Sequence, residues 1–241
     1  SYEQDKLSKI IGEDDSILKE ISKKDVDTII RLYSLLEKDS KSEFKYIELH
    51  DKNKKRNEKV FLQAVVKEYE KRLTQALSES DWQKFLRKYI LLFNTSYVNA
   101  IEKMSVDLRG KYPDFILVDV YGYIDIYEIK KPSTNLLKHD ESRDNYYWDT
   151  EVAKAISQTE KYILMLTKKD KDVRDIIKER HQIDVIIVRP RGYIIVGQSS
   201  QFENSKMEDD FRLLAGSLKN VDVILYDELL GSLKNLVKRL K

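Results

Sequence analysis

The chain has 241 residues, of which 44 are basic and 42 are acidic, so its formal net charge is only +2. A nearly neutral protein lacks a strong overall field, so any surface for nucleic acid has to be a local basic patch. The sequence has no cysteine and three scattered histidines, which excludes a thiol nucleophile, a disulfide framework and an imidazole-rich zinc centre.

The glycines and the apolar segments exclude further classes. The seven glycines form neither GxGxxG nor GxxxxGK, and no GxSxG elbow occurs. If the protein is an enzyme, its catalytic groups are therefore carboxylates and lysines, together with a hard metal ion such as Mg²⁺. No apolar run is long enough to span a bilayer and no signal-peptide pattern is present, so we expect a soluble, cytoplasmic protein without a membrane partner.

Apolar residues at helical spacing predict that residues 1–78 form an α-helical N-terminal region, which we separate from a second domain at 79–241. The basic run DKNKKRNEK at 51–59 is interpreted as a solvated loop or a helix start, with a DNA contact as the alternative. DNA contact and oligomerisation both stay open as roles for this region.

From residue 79 the pattern changes to a mixture of helices and strands. A capped helix begins at SESDWQ, and a polar loop is predicted between residues 130 and 150. Strands are predicted within 97–107 and at 115–120, 124–130, 184–189, 193–197 and 221–226, and further helices at 150–166, 170–180, 211–220 and 227–240. This order predicts an α/β fold, a mixed sheet flanked by helices.

Charged residues interrupt the predicted hairpin PDFILVDVYGYIDIYEIKK at 113–131. Glu128 and Lys130 are two residues apart on a strand, so their side chains project to the same face. Asp114 begins the preceding strand, beside the end of the next one in an antiparallel pair. Buried carboxylates are costly unless they are paired or bind a metal, which suggests that these residues form a site.

The loop of this hairpin determines whether the two carboxylates meet. A two-residue loop, Tyr121-Gly122, would place Asp114 and Glu128 on opposite faces, whereas a three-residue loop, Val120-Tyr121-Gly122, places them on one face. Three-residue loops favour a left-handed backbone at their last position, which suits glycine. The sequence therefore predicts the register that brings the carboxylates together.

Two carboxylates and a backbone carbonyl provide oxygen ligands of the kind that Mg²⁺ or Mn²⁺ prefers. Asp114, Glu128 and the carbonyl of Ile129 are the predicted ligands, and Lys130 would orient a water or stabilise charge on a phosphoryl group. This combination suits phosphodiester hydrolysis. A strand-edge ion pair between Glu128 and Lys130 is the structural alternative, and it leaves Asp114 without a role.

Pro113-Asp114 followed by Glu128-Ile129-Lys130 resembles the PD-(D/E)xK motif of restriction-endonuclease-like nucleases. The segment from Gln158 to Tyr162 (QTEKY) resembles the QxxxY motif of RecB-like members. Together with ESDWQKFL at 79–86 and ILYDELL at 224–230, the pattern over residues 79–235 resembles the C-terminal nuclease domain of the Shedu antiphage-defence proteins.

The resemblance implies a restriction-endonuclease-like fold and a metal-dependent endonuclease that cuts or nicks double-stranded DNA in bacterial antiphage defence, as a homodimer or homotetramer. It implies that Asp114, Glu128 and Lys130 are catalytic, that Gln158 assists near the site, and that Mg²⁺ is the cofactor, with Mn²⁺ as a substitute. Glu79 is a further candidate metal ligand. Its alternative role is that of an acidic residue favoured near a helix N-terminus by the helix dipole.

Two other functions stay open: a catalytically degenerate module that only binds nucleic acid, and a non-enzymatic module that drives oligomeric assembly. Candidate contacts to the DNA backbone are Lys131, Arg143, Arg189 and Arg191. The DNA feature that is recognised, the choice between end-dependent and internal cleavage, and the trigger of activity are not encoded in these motifs.

Overall fold

The structure is a computed structural model that describes residues 43–102 and 113–240, without the side chains of residues 43–57, together with Ser22 and Asp27. The chain divides into two compact units, Ser1–Asn57 and Glu58–Lys241. The predicted domain boundary after residue 78 stays a prediction, but the compact unit that contains the sheet begins at Glu58.

The described residues form the predicted α/β fold, with a helical segment before a five-stranded mixed sheet. The helices are α1 (Glu43–Leu73), α2 (Glu79–Phe93), α3 (Thr150–Lys168), α4 (Asp170–His181), α5 (Ser205–Ser217) and α6 (Tyr226–Arg239). The strands are β1 (Tyr97–Glu102), β2 (Phe115–Asp119), β3 (Ile124–Ile129), β4 (Leu137–Asp140), β5 (Asn145–Trp148), β6 (Gly192–Ile195) and β7 (Val221–Ile224). The basic run at 51–59, predicted as a loop or a helix start, lies in the interior of α1.

The main sheet has the strand order β1-β2-β3-β6-β7. The first three strands form an antiparallel meander, and β6 and β7 join in parallel. The chain passes from β3 to β6 through α3 and α4, which is the helical connection that a parallel neighbour requires. The crossover places the end of β3 beside a helix.

The two helices that carry Glu79 and Gln158 each begin at a side-chain cap. The Ser78 hydroxyl accepts a hydrogen bond from the Asp81 backbone N–H at 3.1 Å, and the Asp81 carboxylate accepts one from the Ser78 N–H in return, which is a capping box. Asp149 caps α3 by accepting a hydrogen bond from the Glu151 N–H at 2.9 Å. Both helices therefore begin where the sequence predicts.

Helices cover both faces of the sheet, and each face has its own core. In one core, α3, α4 and α5 pack against Ile116, Ile126 and Ile194. In the other, α1 from Leu62 onward, α2 and α6 pack against residues of opposite parity on the same strands, such as Tyr127. This alternation follows from the two-residue period of a strand, and it determines which core each functional side chain adjoins.

The predicted polar loop between residues 130 and 150 is partly wrong, because β4 and β5 form a separate two-stranded sheet there. The hairpin depends on α5: the Tyr146 N–H donates to Asp210 at 2.9 Å, and the Trp148 ring packs edge-on against Phe211. These contacts join residues about 64 positions apart, so the local pattern did not reveal the strands.

The predicted strand at 184–189 is also wrong, because this segment contributes a single parallel bridge, Tyr123 to Ile186. The chain then leaves the sheet at Arg189, whose φ is +48°, and at Pro190, which has no N–H for a ladder. The parallel neighbour of β3 is β6 instead, one segment further along the chain.

No helix among the described residues is long and apolar enough to cross a membrane.

Candidate active site

The β2–β3 hairpin has the predicted register. Phe115 lies opposite Tyr127 and Val118 lies opposite Ile124, which leaves a three-residue loop at 120–122. Gly122 has a φ of +90°, as the last position of such a loop requires. When the same register is extended by one residue pair beyond Phe115 and Tyr127, Asp114 lies opposite Glu128. The predicted register is therefore confirmed.

Both carboxylates project toward the core that contains α3. Ile116 and Ile126 belong to that core, and Asp114 and Glu128 lie two residues beyond them on the same faces of their strands. Lys130 is two residues after Glu128, just past the end of β3, so its side chain lies on the same face. The end of the β2–β3 hairpin opposite its loop therefore presents two carboxylates and an ammonium group on one face of the sheet.

Two hydrogen bonds hold the Asp114 carboxylate. Its Oδ2 accepts from the Ile129 backbone N–H at 2.8 Å, and its Oδ1 accepts from Gln83 Nε2, also at 2.8 Å. The first bond ties Asp114 across the hairpin to β3, and the second ties it to α2. Each carboxylate oxygen retains an unused lone pair, so the bonds fix the orientation of the group and leave it able to bind a cation.

Glu128 is buried, and its two oxygens have different environments. Oε1 accepts a hydrogen bond from Lys130 Nζ at 2.9 Å, whereas Oε2 is buried without a hydrogen-bond partner among the described residues. An unpaired buried carboxylate oxygen is expensive, at about 1–3 kcal/mol or more. A native structure keeps such an atom where a ligand satisfies it or where chemistry needs it.

Burial controls the protonation of this site. It raises the pKa of Glu128 to about 7, with the nearby Asp114 charge acting in the same direction and Lys130 opposing it. It also raises the pKa of Asp114, against the Ile129 hydrogen bond and the Lys130 charge. Burial disfavours the charged form of Lys130, but the attraction and hydrogen bond of Glu128 outweigh it and raise the pKa of the ammonium group. The site thus concentrates more negative charge than the protein itself neutralises.

Glu79 approaches the site from the first turn of α2. Its Oε1 lies 3.8 Å from Lys130 Nζ and 3.4 Å from Gln83 Nε2. It therefore contacts the lysine and the amide that orients Asp114. Its role as a metal ligand stays a prediction.

The QxxxY helix borders the site from the other side. Gln158 Nε2 donates to the Tyr162 hydroxyl at 2.5 Å, and the Tyr162 ring is buried in the core of α3. Burial raises the pKa of Tyr162, and the Glu128 and Asp114 charges add to it. Tyr162 therefore interacts electrostatically with the carboxylates, and Gln158 is held by its hydrogen bond to the tyrosine.

Two residues that position the site were assigned no role from the sequence. Gln83 binds Asp114, and the Tyr226 hydroxyl donates to the Lys130 backbone carbonyl at 2.6 Å. The Tyr226 carbonyl in turn accepts from Tyr69 at 2.9 Å. Both residues lie in the motifs ESDWQKFL and ILYDELL, and the i, i+4 spacing of Glu79 and Gln83 was the available signal for one of them.

The residues present fit a hard divalent cation. The Glu128 carboxylate, whose Oε2 is unpartnered, interacts electrostatically with Asp114, and both groups are carboxylates on one face. Among the described residues, no group of three or more Asp, Glu and His side chains is arranged to hold a metal. This donor set matches Mg²⁺, which uses one or two carboxylates and completes its shell with waters and substrate phosphates.

The candidate DNA contacts are exposed but dispersed. Lys131 follows the site directly, whereas Arg191 lies beside Asp125 and forms an ion pair with Asp222 at 2.6 Å. Arg143 and Arg189 are exposed on loops. Their contact with DNA stays a prediction.

Two comparisons agree with the motif pattern. A family model described as "Shedu protein SduA, C-terminal" matches residues 76–230, which is more than half of the chain. The Shedu protein SduA of Bacillus cereus (strain B4264) is 29% identical over 179 residues, covering 71% of this chain and 46% of that relative. The chain thus matches about half the length of this curated relative.

Proposed function

The chain belongs to the family of the C-terminal region of the Shedu protein SduA, and from this membership and the carboxylate–lysine site we propose that it is a metal-dependent deoxyribonuclease of the PD-(D/E)xK type. The observation that carries the proposal is the buried Glu128 Oε2, which has no hydrogen-bond partner among the described residues and belongs to a carboxylate that interacts electrostatically with Asp114 and Lys130. The ion pair with Lys130 satisfies only Oε1, so it does not account for the second buried oxygen.

Mg²⁺ is the proposed cofactor, with Mn²⁺ as a substitute. Asp114 and Glu128 would hold it, with the Ile129 carbonyl as a further ligand, and Glu79 would join them only by turning away from Lys130. When bound, the metal would polarise a phosphoryl oxygen and lower the pKa of a coordinated water.

The protein's own groups would then act on the substrate. Lys130, kept charged and oriented by Glu128, would stabilise the negative charge that grows on the phosphate in the transition state. Gln83 and the Ile129 N–H would keep Asp114 in one orientation, so that little reorganisation is needed during the reaction. Gln158 would assist at the border of the site, next to Tyr162.

The biological role and the partners are proposed on the family relationship. Antiphage defence, double-stranded DNA as the substrate and assembly as a homodimer or homotetramer follow from the resemblance to Shedu proteins. Light scattering on the full chain tests the assembly, and a plaque assay in bacteria that carry the chain tests the defence.

A cleavage assay on supercoiled plasmid tests the enzymatic proposal. The wild-type protein should nick or cut the plasmid with Mg²⁺ and fail to do so with EDTA. Lys130→Ala, Glu128→Gln and Asp114→Asn should each lose a factor on the order of 10² or more in rate while still binding DNA. Lys168→Ala, which removes an exposed lysine at the far end of α3, is the matched control and should cut normally. Full activity in Lys130→Ala would reject the mechanism, and binding without cleavage by the wild-type protein would favour a degenerate binding module.

A further inference from the structure

A groove of about 920 Å³ runs along α3 beside the candidate active site. Most of its lining comes from one face of this helix, and the tryptophan at the end of β5 closes one end. The lining residues are Trp148, Thr150, Ala153, Lys154, Ser157, Gln158, Lys161 and Tyr162.

The lining has the chemistry of an anion site. It contains two lysines, two hydroxyl side chains and an amide, and none of the eight lining residues in the described part of the chain is acidic. Lys154 is paired with Glu151 at 2.8 Å, but both side chains are more than half exposed, so the pair is weak and a phosphate can displace the glutamate.

The spacing of the donors matches a polyanion that lies along the helix. Positions 154, 157, 158 and 161 follow the i, i+3, i+4, i+7 pattern of a single helix face. Lys154 and Lys161 are therefore about 10.5 Å apart along the helix axis at 1.5 Å per residue. Phosphates of one strand in duplex DNA advance by about 3.4 Å per step along the duplex axis while they also wind around it, so lysines at this separation can reach two different phosphates of that strand.

The groove shares two residues with the border of the candidate active site. Tyr162 lines the groove and interacts electrostatically with Glu128 and Asp114, and Gln158 donates a hydrogen bond to the Tyr162 hydroxyl. Helix α3 packs directly against β3, which carries Glu128. A strand that lies along this face of α3 therefore lies near the β-strand that carries Glu128.

We propose that this groove holds the sugar-phosphate backbone of one strand of duplex DNA, with Lys154 and Lys161 neutralising two of its phosphates. The inference rests on the proposed nuclease function and assigns the surface that delivers the strand to the site. Ser157 and Thr150 add neutral donors, which position a phosphate without reading the base sequence.

Equilibrium binding to a fluorescein-labelled duplex, measured by anisotropy over a range of salt concentrations without divalent metal, tests the proposal. The double variant Lys154→Ala/Lys161→Ala should bind roughly tenfold more weakly near physiological salt, because two exposed phosphate contacts are lost. Its slope of log K against log salt should be shallower than that of the wild type by about 1.8. Ser157→Glu, which adds a negative charge to the groove, should also weaken binding.

The matched control is Lys168→Ala/Lys171→Ala, which removes the same charge from exposed positions outside the groove lining. Its salt slope should equal that of the wild type. Equal slopes for all three proteins, with wild-type binding and cleavage intact, would overturn the groove assignment and leave the nuclease proposal standing. An equal loss in both double variants would also overturn it, because the effect would then be one of net charge. A wild-type protein that binds no duplex would overturn both proposals.

Discussion

At the scale of single residues, the orientation of Asp114 depends on a side chain from another element. Gln83 reaches it from α2, 31 positions earlier in the sequence. Residues that orient a metal ligand in this way typically change metal affinity or activity by 10- to 100-fold when they are removed. We expect Gln83→Ala to raise the Mg²⁺ concentration for half-maximal cleavage by about tenfold or more, measured by Mg²⁺ titration of plasmid cleavage.

Gln75→Ala, an exposed glutamine in the turn before α2, is the control and should leave the Mg²⁺ titration unchanged. A merely structural Gln83 would lower the melting temperature without moving the titration midpoint. That result would remove Gln83 from the metal-binding apparatus.

The buried Glu128 makes stability depend on pH in the absence of metal. Its pKa in the folded protein is about 7, above its ordinary value near 4.5, so folding favours the protonated form. The stabilisation is therefore fully present below pH 4.5 and is lost as the pH rises through about 7. Because one pKa unit corresponds to about 1.4 kcal/mol, the loss in the free energy of unfolding is at most about 3–4 kcal/mol.

Thermal melts in EDTA between pH 4.5 and 8 measure this effect, with Glu128→Gln as the comparison. The variant carries no titrating group at this position, so we expect it to melt above the wild type at pH 8. Mg²⁺ should raise the melting temperature of the wild type and have a much smaller effect on the variant, because a ligand stabilises only the state that binds it. Parallel melting curves for the two proteins across this pH range would contradict the burial argument.

The sequence predicted the charged residues of the site but not the neighbours that support them. Asp114, Glu128 and Lys130 stood out because charges are costly within apolar strands. Gln83 and Tyr226 are ordinary residues on helices, and their contacts exist only once α2 and α6 pack against the sheet. No local pattern encodes a contact across 96 positions, such as that of Tyr226 with Lys130.

At the scale of elements, local chemistry predicted the hairpin but not the pairing beyond it. The register of β2 with β3 follows from Gly122 and the loop length, both of which are local. By contrast, residues 184–189 are apolar enough for a strand, yet the geometry at Arg189 and Pro190 takes the chain out of the sheet. The sequence therefore mispredicted strands wherever tertiary contacts or a break in the backbone determined which segments pair.

The same hairpin gives a prediction about Gly122. At a φ of +90° a β-branched residue is strained, and an added Cβ would lie 3.3 Å from the Asp184 carbonyl oxygen. We expect Gly122→Val to lower the free energy of unfolding by about 2 kcal/mol and to reduce cleavage, because the loop sets the register of Asp114 and Glu128. Urea denaturation and the plasmid assay measure the two effects.

Gly231→Ala is the control for this change. Gly231 lies within α6, has no atom within 4 Å of an added Cβ, and is not in the left-handed region. Alanine there should stabilise the protein by about 0.5–1 kcal/mol, since glycine is a poor helix former. A Gly122→Val variant that unfolds at the wild-type urea concentration would show that the loop does not determine the register.

At the scale of the whole molecule, helices stabilise the sheet on both faces. The site lies at the end of strands β2 and β3, where residues from both cores meet. Asp114 and Glu128 adjoin the core of α3, whereas Gln83 and Tyr226 approach from the helices of the other face. The chain Tyr69–Tyr226–Lys130 joins α1, α6 and the end of β3 by two hydrogen bonds. The later part of α1 is therefore part of the support of the site.

This arrangement predicts where the N-terminal region can be removed. Leu62, Val65 and Tyr69 are buried against α2 and α6, so a fragment that begins at residue 58 keeps them and one that begins at residue 79 does not. Burial of such side chains contributes about 1.5–3 kcal/mol each, so losing three of them costs about 5 kcal/mol or more, which is comparable to the whole stability of many domains. We expect residues 58–241 to unfold cooperatively on heating, and residues 79–241 to be unfolded or to melt at a much lower temperature, as measured by circular dichroism. If 79–241 melts as 58–241 does, the end of α1 is a separate attachment, and a boundary after residue 78 describes the molecule better than one after residue 57.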